Sequence, residues 1–158
     1  MPIELEFDNG RYGQEMTASD SMAETEKNYA QKEYAKSRHP GYEYIPARLV
    51  EGASRILEIG CLGGHGLIAM REGHDRRAAW LGVEYSPQWC REASGFVRRH
   101  GTDGPNGPLL VVRGDGTRLP CPDGVFELVV CKLVLPYVDN RGLLGEIGRV
   151  MAPEGRAV

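Results

Sequence analysis

The stretch from Arg55 to Gly66, Arg-Ile-Leu-Glu-Ile-Gly-Cys-Leu-Gly-Gly-His-Gly, constrains this chain more than any other. The apolar run Ile56, Leu57 and Ile59 reads as a buried parallel strand. It enters a turn with four glycines within seven residues, at Gly60, Gly63, Gly64 and Gly66. Glycine adopts backbone conformations closed to other residues and lets a ligand approach the main chain. A strand followed by a glycine-rich turn and a helix is how open α/β folds build a nucleotide site. Glu58 breaks the apolar pattern, because a carboxylate inside a buried strand is costly unless it has a partner.

Strand and helix signals alternate from about residue 54 onward. After the glycine turn, a helix is predicted to about Arg71. Ala78 to Glu84 reads as a second buried strand ending in an acid. Ser86-Pro87 opens a helix, with serine as cap and proline at the first position. That helix runs to about His100, where Gly101 stops it. Thr102 to Pro108 reads as a loop, Leu109 to Arg113 as a third strand, Gly114-Asp115-Gly116 as a turn, and Val125 to Cys131 as a fourth strand. Asn140 to Met151 presents Leu143, Leu144, Ile147, Val150 and Met151 on one helical face. Pro153-Glu154-Gly155 is expected to end that helix, and Arg156-Ala157-Val158 to open a fifth strand. Right-handed βαβ crossovers and a parallel sheet follow from this order.

Upstream, residues 1–20 show no period and read as an arm. Ser21-Met22-Ala23-Glu24 fits a capping box for a helix to about Ser37. A second short helix is expected from Tyr42 to Val50, disturbed by Pro46. Residues 21–52 thus form a helical cap before the main domain, 53–158. Tyr29, Tyr34, Tyr42 and Tyr44 line a pocket or pack this layer on the sheet, and packing is the better reading.

The 158 residues suit one domain. A net charge of −3 gives no sign of a nucleic-acid partner. The four cysteines, Cys61, Cys90, Cys121 and Cys131, show no paired spacing. They read as reduced thiols of a cytoplasmic protein rather than disulfides or metal ligands. The four scattered histidines form no ligand set either, so no metal site is expected. No apolar run approaches the roughly 20 residues a membrane span needs.

Ligands in such sheets bind beyond the carboxyl ends of the strands. Glu58 and the glycines end the first strand there. Glu84 ends the second, where an acid can accept both ribose hydroxyls of a nucleoside; it could also cap the next helix. Asp115 follows the third strand, placed to take an exocyclic amine of a base or simply to hold a turn. Cys131 and Lys132 follow the fourth. Taken together at consecutive strand ends, these residues favour the functional reading. A dinucleotide fingerprint fits poorly. Leu62 stands where its second glycine belongs, counted from Gly60, and the shifted match Gly64-His65-Gly66-Leu67-Ile68-Ala69 begins beyond the strand end. A cationic ligand, with an ammonium or sulfonium to balance Glu58, explains the acid better.

From about Ile56 to Val158 the chain resembles a class I S-adenosylmethionine-dependent methyltransferase of the small-molecule type. Leu57-Glu58-Ile59-Gly60-Cys61-Leu62-Gly63-Gly64 is similar to the first motif of that family, with Leu62 in place of its middle glycine. Val83-Glu84-Tyr85-Ser86 resembles the ribose motif. Gly114-Asp115-Gly116-Thr117, with Leu119-Pro120-Cys121-Pro122-Asp123, resembles the adenine side. Phe126 to Val130 and Glu146 to Gly155 resemble the fourth strand and the approach to the fifth.

The resemblance implies an α/β fold: a Rossmann-like, doubly wound, mostly parallel sheet with helices on both faces. It implies S-adenosylmethionine as cofactor, S-adenosylhomocysteine as product, and a small-molecule methyl acceptor. By it, Glu58 and the Gly60 carbonyl hold the methionine ammonium, Glu84 the ribose, and Asp115 the adenine amine with Gly116 beside it. Backbone near Cys131 and Lys132 borders the methyl. Cys61, Gly64 and Tyr85 complete the cofactor-binding set, and Tyr137 lines the acceptor side. Family members continue with two further strands. Here the chain stops three residues into the fifth, so a fragment lacking the last strands is expected, with an open edge that a second copy could pair. Two other readings stand beside the enzyme: a non-catalytic S-adenosylmethionine-binding scaffold, and a nicotinamide-dependent oxidoreductase using the shifted glycines.

Overall fold

Five parallel strands build the sheet: β1 (Arg55–Ile59), β2 (Ala79–Glu84), β3 (Leu109–Arg113), β4 (Phe126–Val130) and β5 (Met151–Ala157). Their order is β3-β2-β1-β4-β5. The structure is a computed structural model that describes residues 28–74, 77–101 and 107–158. The arm over residues 1–20 and the capping box at Ser21 to Glu24 lie outside the described residues. The order reverses between β1 and β4, which makes the carboxyl end of β1 the topological switch point.

Apolar residues on both faces of β1 explain why it is central. Ile56 faces one core together with Trp80, Leu128 and Val130. Leu57 and Ile59 face the other with Val83 and Val129. Helices α1 (Tyr29–Ser37), α3 (His65–Gly73) and α4 (Pro87–His100) cover the first face, through Ala30, Leu67, Ile68, Met70, Ala93 and Phe96. Helix α5 (Asn140–Val150) covers the second through Leu143, Ile147 and Val150. The expected doubly wound α/β sheet is therefore present. Among the described residues no helix is long and apolar enough to cross a membrane.

Local chemistry sets the helix ends. Ser86 Oγ accepts the Trp89 amide at 3.3 Å and Pro87 occupies the first turn of α4. Asp139 caps α5 by accepting the amides of Arg141 and Gly142 at 3.2 and 3.1 Å. Helix α1 is tied to α3 where Tyr34 Oη donates to Glu72 at 2.8 Å and Arg38 pairs with the same carboxylate at 2.8 Å.

Two elements differ from the sequence expectation. The helix expected from Tyr42 shrinks to the single turn α2 (Ala47–Val50), because Pro46 can only precede it. Strand β5 begins directly at Met151, where a turn over Pro153 to Gly155 is expected. That segment is instead a bulge inside the strand. Phe126 pairs with Met151 and Leu128 with Arg156, so two steps along β4 match five along β5. An edge strand tolerates Pro153 because no neighbour needs its missing amide.

The connection from β3 to β4 carries no helix. Arg149 of α5 holds it, donating to the carbonyls of Leu119 and Cys121 at 3.1 and 2.8 Å and pairing with Asp123 and Glu146 at 2.6 and 2.7 Å.

Gly82 shows how tightly α3 and the glycine turn lie on β2. A Cβ there would stand 2.6 Å from Leu67 Cδ1 and 2.7 Å from Cys61 Sγ. Gly82→Val should lower stability by about 1–3 kcal/mol. Urea unfolding checks this: the midpoint should fall with little change in slope, and an unmoved midpoint contradicts the packing described.

Candidate functional site

Glu58 sits one residue before the end of β1, paired in register with Gly82 and Val130. Only 1% of its surface is exposed. Tyr44 Oη donates to its Oε1 at 2.7 Å, while Oε2 is buried with no hydrogen-bond partner among the described residues. Burial pushes the Glu58 carboxyl up to about 7; the Tyr44 bond and the nearby Lys132 pull against this and Glu84 adds to it. The Lys132 ammonium lies 4.1 Å from the centre of the Tyr44 ring and donates to the Tyr44 carbonyl at 3.3 Å. Tyr44 is held well above the usual phenol range by its own burial and by Glu58, so it stays a donor.

Glu84 ends β2 with 6% of its surface exposed. Its Oε2 accepts the Leu62 amide and its Oε1 the Ser86 amide, both at 2.9 Å. Burial raises this carboxyl, and the amides of Ser86, Leu62 and Tyr85 oppose the shift. One carboxylate thus fastens the turn after β1 to the start of α4. Tyr85, next in the chain, is 65% exposed.

The turn itself runs through left-handed conformations at Gly60 (φ 73°), Leu62 (φ 45°) and Gly64 (φ 78°). Leu62 adopts one against ordinary preference, at a cost of about 1–2 kcal/mol. Its side chain is 38% exposed, and its amide is the group that bonds Glu84. Gly60 donates to the Val83 carbonyl at 2.8 Å, and a Cβ there would strike Val134 Cγ2 at 2.5 Å. Cys61 turns its side chain into the core against Gly82, and burial pushes its thiol up. Only its backbone belongs to the turn. Gly64 caps α3. The shifted glycine match therefore runs from that cap into the helix and forms no loop of its own.

Asp115 is exposed in a tight turn after β3. Its Oδ1 accepts the Thr117 amide and hydroxyl, each at 2.8 Å. Its Oδ2 makes no hydrogen bond among the described residues. Gly116 is buried where a Cβ would meet Leu143 and Ile59 at 3.2 and 3.3 Å. After β4, the Cys131 amide donates to the Val158 carbonyl at 2.7 Å. Leu133 also has a left-handed backbone (φ 62°).

Every site residue named from the sequence therefore lies at the carboxyl end of a strand or in the turn that follows. Tyr44 was legible as a pocket-lining or, better, a packing tyrosine, since nothing local marks it as the partner of Glu58. Two clefts, of about 400 and 510 Å³, lie elsewhere. The first reaches Tyr44, and neither touches Glu58, Glu84 or Asp115. Among the described residues no group of histidines, cysteines and acids is arranged to hold a metal.

The parallel sheet, with its switch point at the end of β1 and a glycine turn there, has the fold of the class I S-adenosylmethionine-dependent methyltransferases. The chain belongs to the methyltransferase domain family, whose model matches residues 57–158. No curated protein matches it in sequence. A protein of Methanococcus maripaludis assigned to the S-adenosyl-L-methionine-dependent methyltransferases shares the fold, with a TM-score of 0.67 at 20% identity over 88% of this chain and 65% of that one. The arsenic(III) S-adenosylmethionine methyltransferase of Chlamydomonas reinhardtii superposes with a TM-score of 0.62 at 22% identity, over 81% of this chain and 46% of its own. An S-adenosylmethionine-dependent methyltransferase of Mesorhizobium loti gives a TM-score of 0.56 at 25% identity, over 72% and 48%. The chain thus spans 65% of the first of these proteins and about half of the other two.

The buried Glu58 carboxyl makes stability depend on pH. Its folded value of about 7 lies above the ordinary 4.5, so the folded chain holds this proton more tightly. The stabilisation is complete at low pH and is lost as pH rises through about 4.5 to 7. Glu58→Gln removes the titration. Between about pH 5 and 8 the wild type should lose up to about 3 kcal/mol relative to the variant. Denaturant midpoints across that range check this, and parallel curves contradict it.

Proposed function

We propose that this chain forms the cofactor side of an S-adenosylmethionine-dependent methyltransferase acting on a small-molecule acceptor. One observation carries the reading: two buried carboxylates, Glu58 and Glu84, flank a single glycine turn at the switch point, and one oxygen of Glu58 has no partner among the described residues. Two buried acids beside one turn favour a cation. A buried acceptor without a donor is a cost that a ligand ammonium would remove.

The residues fit the cofactor group by group. Glu58 Oε2 and the Gly60 carbonyl would accept the ammonium. Beyond the Leu62 and Ser86 amides that it accepts at 2.9 Å, Glu84 would accept the ribose hydroxyls. Asp115 Oδ2 would accept from the adenine amine, next to Gly116. The backbone of Cys61 and Gly64 would shape the turn against the methionine end, with Tyr85 at the ribose edge. Cys131 and Lys132 would border the reacting end. When bound, the cofactor supplies an electrophilic methyl on its sulfonium. The chain's share is then to hold and orient, so rate would come from positioning. Exposed Leu133, Leu135 and Tyr137 follow β4 and would line the acceptor side.

Calorimetry with S-adenosylmethionine and S-adenosylhomocysteine tests the assignment. Glu84→Ala removes both the ribose acceptor and the tie to the Leu62 amide, and should weaken binding at least about tenfold. Equal affinity in wild type and variant would overturn the ribose assignment.

A further inference from the structure

The segment before α2 carries a residue that no strand-end argument picks out. Tyr44 reaches from the 42–46 strap to Glu58, fourteen residues on, and its hydroxyl supplies the only hydrogen bond that carboxylate receives among the described residues. Three contacts fix the ring. Lys132 covers one side at 4.1 Å and holds the Tyr44 carbonyl. His65, the first residue of α3, packs edge-on at 5.8 Å. Gly66 lies so close that a Cβ there would stand 2.5 Å from Tyr44 Cζ. A residue that only filled space would not need its oxygen aimed at a buried carboxylate from three constrained sides.

We propose that Tyr44, braced by Lys132, is a positioning residue that holds Glu58 with one oxygen satisfied and the other kept for the ligand's ammonium. The inference rests on the reading of this site as one for S-adenosylmethionine.

The hydrogen bond favours the charged form of the carboxylate, the form an ammonium requires. Several other groups act on Glu58 or on its partner. Lys132, after β4, favours the charge and Glu84, at the end of β2, opposes it. Burial raises the Cys61 thiol in the turn, with Glu58 adding to it, and burial and Glu33 raise the Tyr42 phenol in the strap, with Glu58 a smaller cause, so both stay neutral. His65 is lowered by burial to about 4, so it is neutral at working pH and does not compete as a cation. Among these groups Tyr44 alone bonds the carboxylate directly.

Removing the hydroxyl should therefore make Glu58 harder to ionise, and the loss should depend on both pH and the ligand's amine. The test measures affinity across about pH 5.5 to 9 for two probes, S-adenosylhomocysteine and 5′-methylthioadenosine, which lacks the amino-acid end. In wild type, S-adenosylhomocysteine should bind more tightly as pH rises through about 7, and 5′-methylthioadenosine should show no such rise. Tyr44→Phe should move that rise to higher pH and weaken S-adenosylhomocysteine about tenfold at neutral pH. Binding of 5′-methylthioadenosine should be unchanged. Gly66→Ala, whose Cβ would stand 2.5 Å from Tyr44 Cζ and 2.7 Å from its hydroxyl oxygen, should displace the phenol and shift the profile in the same direction, as should Lys132→Met. Superimposable profiles for wild type and Tyr44→Phe overturn the proposal, and so does an equal loss of both probes. If wild type binds neither probe, the cofactor reading itself fails and this inference falls with it.

Discussion

The carboxylate of Glu84 joins the two halves of the site. It accepts one amide from the turn after β1 and one from the start of α4. It reinforces the tie that the Gly60 amide makes to the Val83 carbonyl, and its bond to the Leu62 amide offsets part of the left-handed cost there. The bond also requires burial, and burial raises the carboxyl, so the same geometry that fixes the turn leaves an acid ready to accept further donors. Glu58 answers the same problem differently. Its neighbours across the sheet are Gly82 and Val130, which offer its carboxylate no side-chain donor, and its hydrogen bond comes from outside the sheet altogether.

Those two acids explain why the packing beneath them is so close. Cys61 points into the core at Gly82, Gly64 rests on α4, and Gly66 on Tyr44. A turn flanked by two buried carboxylates rests on closely packed layers. Small residues allow the helices to approach, and the acids tie the backbone above.

Much of this was legible in the sequence. Apolar runs at Ile56 to Ile59, Leu109 to Arg113 and Phe126 to Val130 marked the strands, because strands buried on both faces need no polar alternation. The cap at Ser86 and the glycine turn marked where helices begin. Glu58, Glu84 and Asp115 stood out because acids at the ends of apolar strands need a reason. Other features depended on contacts distant in the sequence. Pro153 to Gly155 carries a true turn signal, but pairing with β4 absorbs it as a bulge. Tyr44 looks like its neighbouring tyrosines until the fold brings it to Glu58. Leu62 looked like an obstruction in a turn that wants glycine. Its amide, not its side chain, does what the turn needs.

A crystal structure of the chain with S-adenosylhomocysteine tests the central claim most directly. The account predicts the ribose hydroxyls on Glu84, the adenine amine at Asp115, and the ammonium within hydrogen-bond distance of Glu58 and the Gly60 carbonyl. A ligand seated in the cleft between the 42–46 strap and α3, with Glu58 Oε2 still unpartnered, would contradict it.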